Sequence, residues 1–237
     1  MKRISVCMPM YNGERYLEAQ LLSILDQLDE SDEIIISDDG STDGSRACIE
    51  AMQDRRIRII QGPGAGNPSK NVLNALNAAE GNYIFLADQD DVWMPNKVST
   101  VLEQLKSYDL VVHNCTVTNE HLEVIAHSFF DLHGSRPGFW QNWWRNHFLG
   151  CCMAFRREVL NKALPFPAAI PMHDSWLGLV ATAWYRTTFI PETLLLYRRH
   201  GQNASSTSAP STNSFLAKLT DRFWLLSGFI LTLWRSK

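Results

Sequence analysis

At 237 residues, with 45% hydrophobic and 20% charged residues, the chain suits one large domain or two small ones around a sizeable core. A net charge of −3 gives no electrostatic reason to bind nucleic acid, so that partner class is excluded at the level of composition. The five cysteines (Cys7, Cys48, Cys115, Cys151, Cys152) lack C-x-x-C spacing and point to free thiols in a reducing compartment rather than disulfides or a zinc site.

Ile4–Met10 reads as a first strand running into the turn Tyr11-Asn12-Gly13. Glu14–Leu28 follows, with Leu17, Leu21, Ile24, Leu25 and Leu28 on one helical face. Ile34–Ile36 is a second strand, closed by Asp38-Asp39-Gly40-Ser41. A helix to about Met52, a strand Ile57–Ile60, a Gly/Pro loop Gln61–Pro68 and a helix Ser69–Ala79 come next. The strand Tyr83–Ala87 then runs straight into Asp88-Gln89-Asp90-Asp91. Strands and helices at this spacing predict an α/β fold with a mostly parallel central sheet flanked by helices.

Further on, Leu110–Val112 and Thr116–Ile125 are expected strands, His127–Gly138 a loop, and Phe139–Phe148 a short segment crowded with Trp140, Trp143 and Trp144. Gly150–Phe155 reads as a strand, Pro165–Pro171 as a connection and His173–Trp184 as a helix. Thr187–Ile190 and Leu194–Tyr197 read as two short strands. Gly201–Asn213 has the composition of a flexible loop, and a helix is expected from Ser214 to about Trp234. The start of the chain breaks at Pro9 too early for a signal peptide, and no apolar run is long enough to span a bilayer, so a cytoplasmic protein is expected.

Three carboxylates within Asp88–Asp91 repel one another, and an ion desolvated without a partner is costly. A divalent cation answers that problem, because hard cations prefer clustered carboxylate oxygens. A solvated acidic turn before the next helix is the plainer account. In open α/β sheets ligands collect beyond the carboxyl ends of the strands. There the ends at Pro9–Asn12, Asp38–Ser41 and Asp88–Asp91 would share one edge. Asp174, early in a later helix, is either an N-terminal cap or a base standing at that crevice.

The stretches VCMPMYNGERYLEAQLLSIL, IIISDDGSTDGS, NYIFLADQDDVW, GCCMAFRR, MHDSWLGL and YRRHGQN, in this order, resemble family 2 glycosyltransferases of the GT-A (Rossmann-like) fold. The nearest resemblance is to bacterial rhamnosyltransferase-like members that build O-antigen and related surface polysaccharides. It implies a catalytic domain over 1–203, with a nucleotide-sugar half (1–113) and an acceptor-side half (114–203), followed by a loop and an apolar helix (204–237). By position in the motifs, Pro9 and Tyr11 would line the nucleobase pocket and Asp39 would read the base edge. Lys70 stands where an arginine is common and would face the donor, as would Glu14 and Gln89. Asp88 would face the donor's ribose and sugar, Asp90 would hold the metal, and Asp91 would support the loop or face the donor sugar. Gly150 keeps the acceptor side open, and Asp174 matches the catalytic base, preceded here by His173 instead of the more frequent glutamate. His200 would complete the metal site, or is an ordinary loop histidine.

The implied reaction is inverting transfer of a sugar, rhamnose from dTDP-rhamnose by resemblance, to a hydroxyl of a lipid-linked glycan, with manganese or magnesium as cofactor. Rival readings are a nucleotidyltransferase, for which Tyr11-Asn12-Gly13-Glu14 is a poor phosphate loop, and a glycan-assembly protein that keeps the fold without activity. Trp140, Trp143 and Trp144 form either an acceptor platform or an apolar plug or subunit contact. Leu216, Leu219, Phe223, Leu226, Ile230 and Leu233 make a helical stripe flanked by basic residues. It suits an interfacial anchor at the inner face of the membrane, or a helix packed on the domain or in a homodimer.

Overall fold

The computed structural model describes residues 3–167, 170, 172–201, 220, 222 and 224–229. Its centre is a sheet ordered β3-β2-β1-β4-β8-β6-β9-β5, with β7 paired to β6. The strands are β1 (Ile4–Met10), β2 (Glu33–Asp38), β3 (Ile57–Gln61), β4 (Tyr83–Leu86), β5 (Val92–Trp93), β6 (Leu110–Thr118), β7 (Val124–Ala126), β8 (Met153–Arg156) and β9 (Thr187–Arg198). The helices are α1 (Glu14–Leu25), α2 (Ser45–Met52), α3 (Pro68–Ala78), α4 (Lys97–Gln104), α5 (Phe129–His133), α6 (Phe139–Trp144), α7 (Arg157–Ala163) and α8 (His173–Trp184).

The first four strands in the order are mutually parallel, as the alternating pattern predicts. β1 and β2 are buried almost end to end, which is why Ile4–Met10 and Ile34–Ile36 read as continuous apolar runs. Beyond β4 the sheet turns mixed. β8 runs antiparallel to both β4 and β6, and β9 pairs parallel to β6.

Pro9 falls inside a central strand without breaking the ladder. Cys7 turns its carbonyl toward β4, accepting the amide of Ala87 at 3.1 Å. Two residues later the proline nitrogen faces the same side, where β4 has already ended. β1 and β4 therefore part at their carboxyl ends. That gap is the point at which the strand order reverses direction, and a crevice forms there.

Several expectations need correcting. Thr187–Ile190 and Leu194–Tyr197 belong to one strand, in which Pro191 and Glu192 bulge out between the pairs Ile190–His113 and Thr193–Asn114. His127–Gly138 contains α5, capped by the Ser128 side chain on the Asp131 amide and closed by Gly134 in the left-handed region. Gly150–Cys152 is a 3-10 turn leading into β8, not the start of the strand. Leu110–Thr118 is one strand whose buried Asn114 serves the amides of Cys115 and Phe130 and the Ser128 hydroxyl. β5 and α7 were not expected.

Most of the apolar C-terminal stripe, including Leu216, Leu219, Phe223, Ile230 and Leu233, and the 202–213 loop lie outside the described residues. Residues 224–229 are helical and pack on the domain. Phe229 lies tilted against Trp184 at 4.3 Å between ring centroids and against Phe139 at 5.2 Å, while Leu225 is buried. Within this stretch Trp224 and Leu226 stay exposed. No helix among the described residues is long and apolar enough to cross a membrane.

Candidate active site

The loops after β1, β2 and β4 meet at the crevice and are tied to one another. Gln89 uses both ends of its amide on the backbone of Tyr11, accepting its N–H at 2.9 Å and donating to its carbonyl at 3.0 Å. Asn12, at φ 49°, accepts the Thr42 amide at 2.8 Å and donates its own N–H to Ser41 Oγ at 2.9 Å. Glu14 accepts the Gly44 amide at 2.9 Å. Gln89 and Glu14, expected at the donor, thus hold the loops in register, though Gln89 also lines the cavity. That cavity, about 580 Å³, lies between Tyr11, Asn12, Arg15, Tyr16, Gln89, Glu120 and His200. Tyr11 is 57% exposed at the mouth of this cavity.

The Asp39 carboxylate accepts the amides of Gly64, Ala65 and Gly66 at 2.7, 3.3 and 2.9 Å. A base edge would have to share or displace these donors. Lys70 is exposed in the first turn of α3, and Pro9 is partly buried beside the crevice.

The acidic loop is gathered from several directions. His200 Nε2 lies 2.7 Å from Asp90 Oδ2, so β9 and its following residues carry a histidine back to the donor side. Arg198 donates its Nε to the Asp90 carbonyl at 2.7 Å, and its backbone N–H binds Asp91 Oδ1 at 3.0 Å. Its guanidinium also lies over the Tyr16 ring, 4.6 Å from the centroid. Asp91 is fully buried, and its Oδ2 has no hydrogen-bond partner among the described residues. Ligand atoms of Asp88, Asp91 and Cys151 lie within 4.8 Å of one another.

Burial, with the charge of Asp90 added, pushes the Asp88 carboxyl up to about 7, and burial pushes Asp91 well above the usual carboxylate range. Buried Lys97, whose Nζ binds the Cys151 carbonyl at 2.9 Å and sits over the Trp93 ring at 4.1 Å, is pulled below its ordinary value by the same loss of water. Crowded carboxylate oxygens, one orphaned buried oxygen and a converging imidazole fit a divalent cation. Asp90 and His200 are brought together as expected. Cys151, Lys97 and Arg198 were not singled out, because an adjacent cysteine pair has no ligand spacing and a lysine or arginine in a motif does not announce its burial.

Beyond the Gly150–Cys152 turn, Asp174 sits in the first turn of α8 and is 6% exposed. Its Oδ1 accepts Asn146 Nδ2 at 3.2 Å and the Ser175 amide at 2.6 Å. Burial raises its pKa, while neighbouring His173 and these hydrogen bonds oppose the rise. A Cβ built on Gly150 would lie 2.8 Å from His173 Nε2 and 3.8 Å from the Asp174 Cβ. The Gly150–Cys152 turn therefore has His173 and Asp174 beside Gly150, and the acidic loop beside Cys151. Trp140 is 76% exposed on α6, edge-on to Trp143, and α6 packs against α8.

Residues 5–164 match the family model described as Glycosyl transferase family 2. An uncharacterized glycosyltransferase of Nostoc sp. is 30% identical over 229 residues, covering 91% of this chain and 70% of that protein. The Escherichia coli UDP-Glc:alpha-D-GlcNAc-diphosphoundecaprenol beta-1,3-glucosyltransferase WfgD is 30% identical over 102 residues, 43% of this chain and 40% of that protein. Among solved structures, the mannosyltransferase PcManGT of Pyrobaculum calidifontis in complex with GDP-Man and Mn2+ is similar with a TM-score of 0.62 at 16% identity, covering 99% of this chain and 88% of that one. The chain spans less than two thirds of the length of several other proteins it matches.

Proposed function

This chain belongs to glycosyl transferase family 2 and has the GT-A fold, and we propose that it transfers a sugar, with inversion, from a nucleoside diphosphate to a hydroxyl of a lipid-linked glycan. One observation carries the reading. The Gly150–Cys152 turn lies beside both Asp174 and the Asp88–Asp91 loop, and the Asp174 charge is near enough to help raise the Asp88 carboxyl, which supports a base placed close to the donor site. Residues 1–113 form the donor half and 114–203 the acceptor half, with His200 returning to the donor side.

In this reading Tyr11 and Asp39 receive the base, and Pro9, Lys70, Glu14 and Gln89 shape or face the donor pocket. Asp88 faces the ribose and sugar, and Asp91 holds the loop through Arg198. Asp90 and His200 would hold manganese or magnesium, with Asp88, Asp91 and Cys151 close behind. When bound, a divalent ion supplies Lewis-acid charge to the departing diphosphate.

The acceptor hydroxyl is a weak nucleophile until its proton is taken. Asp174 takes it, and a carboxyl with raised pKa is a better base than an ordinary one once ionised. The space above Gly150, expected to admit the acceptor, is taken by the His173 ring beside the base, and Trp140 offers the incoming sugar an apolar face. One base and no protein nucleophile give inversion, unlike a retaining pair of carboxylates. The relative acting on a diphosphoundecaprenol acceptor supports a lipid-linked acceptor, and its UDP-glucose donor and the neighbour's GDP-mannose widen the donor choice beyond dTDP-rhamnose.

The test is nucleoside diphosphate release from a panel of dTDP-rhamnose, UDP-glucose, UDP-N-acetylglucosamine and GDP-mannose with manganese, with and without a saccharide acceptor. Acceptor-stimulated release with one donor is expected. No release with any donor sinks the reading.

A further inference from the structure

The residue before the base is a histidine, and the structure shows what its ring can do. His173 opens α8 and is 8% exposed. Ser69, in the first turn of α3, reaches across to it. Ser69 Oγ accepts the His173 backbone N–H at 3.2 Å and lies 3.4 Å from the ring Nδ1. The hydroxyl keeps its hydrogen and a second lone pair, and where the hydrogen goes to Nδ1 the ring is fixed as one tautomer. Nδ1 is then the bare nitrogen and Nε2 carries the hydrogen. Nε2 lies over Gly150, beside the base.

We propose that His173 Nε2–H is a specificity-determining donor on the acceptor side, holding an oxygen lone pair of the acceptor sugar next to the hydroxyl that Asp174 deprotonates. This rests on the transferase reading and adds a requirement to it. A carboxylate at this position accepts a hydrogen from a sugar hydroxyl, whereas a neutral imidazole with Nε2–H gives one. The favoured acceptor therefore carries a hydroxyl, ring or amide oxygen flanking the attacking hydroxyl, and that oxygen needs no hydrogen of its own. The attacking oxygen is not the partner, because a hydrogen bond to its lone pair would blunt it as a nucleophile. Burial lowers the His173 pKa, in keeping with a neutral ring. Ser69 is a positioning residue that sets the tautomer.

The full-length protein, with the active donor and manganese, is assayed against a panel of p-nitrophenyl glycosides. His173→Gln, whose amide can present an N–H near the Nε2 position, should keep the acceptor KM within about threefold. His173→Met should raise it about tenfold, the weight of one hydrogen bond, with donor KM little moved. Long-range proton–nitrogen spectra of the wild type, with the His173 signal assigned by its loss in His173→Gln, should show Nδ1 bare and Nε2 protonated. An unchanged acceptor KM in His173→Met, or the opposite tautomer, overturns the proposal. If the wild type glycosylates nothing, the transferase reading fails on its own, and the tautomer still decides whether Nε2 is a donor.

Discussion

The proposed donor and acceptor sides are built in different ways. On the donor side, polar side chains from one loop bind the backbone of the next: Gln89 on Tyr11, Asn12 on Thr42, Glu14 on Gly44, Asp39 on the 64–66 loop. On the proposed acceptor side, single residues from separate elements converge, with Gly150 from a turn, Asp174 and His173 from α8 and Ser69 from α3, while Trp140 stands exposed on α6, which packs against α8. A pocket for a charged diphosphate gains from donors and ions fixed before the ligand arrives, since nothing then has to reorganise. A surface for a neutral sugar needs one base, one or two directed hydrogen bonds and an aromatic face. Loops tied backbone to side chain make the first, and packed helices presenting a few side chains make the second.

The sharpest break of this contrast is Asp174→Asn, which should leave donor binding intact and lower turnover at least about a hundredfold. The wild-type rate should fall as pH drops through the raised pKa of Asp174, so the acid limb lies above the ordinary carboxylate range. Near-normal turnover in the mutant would remove the base from the acceptor side altogether.

Next in size is a metal effect on stability. In the metal-free protein Asp88 titrates near 7 when folded against an ordinary 3.8 when unfolded. As pH rises from about 4 the unfolded chain loses this proton first, so the folded state loses stability until about pH 7. Manganese at a fixed concentration, a hundredfold over its Kd at pH 8, should add about 2.7 kcal/mol there and less at pH 5, visible as a rise in Tm. A Tm indifferent to manganese at both pH values would leave the acids without their cation.

Gln89→Leu removes both ends of the tie to Tyr11 and should raise donor KM about tenfold with acceptor KM little changed. Equal changes in both would mean the two sides are not independent. Smallest is Trp140→Ala, expected to raise acceptor KM about threefold, about half of one stacking contact. A shift in donor KM instead would place this tryptophan on the wrong side.

Much of the donor side was legible because its residues are contiguous. Asp88–Asp91 follows β4 directly, and Tyr11–Glu14 and Asp38–Ser41 follow β1 and β2, so a parallel sheet alone brings them to one edge. What was not legible is how these residues use their polar groups. Gln89 and Glu14 read as ligand contacts, yet each is engaged with a neighbouring backbone. The sheet beyond β4 was harder. A proline bulge split β9 into two apparent strands, and buried Asn114 interrupted the apolar run of β6, because each polar interruption is satisfied by partners distant in the chain.

By itself the sequence determined the parallel half of the sheet, the strand-end placement of the acids and the helix bearing Asp174. Those follow from periodicity and turn chemistry, which act between near neighbours. Only the tertiary structure decided that His200 returns to Asp90, that Cys151 joins Asp88 and Asp91, that Lys97 is buried under them, and that Ser69 orients the ring of His173. These contacts join residues far apart along the chain, and a buried charge or a tautomer depends on which groups have been brought into the same dry space.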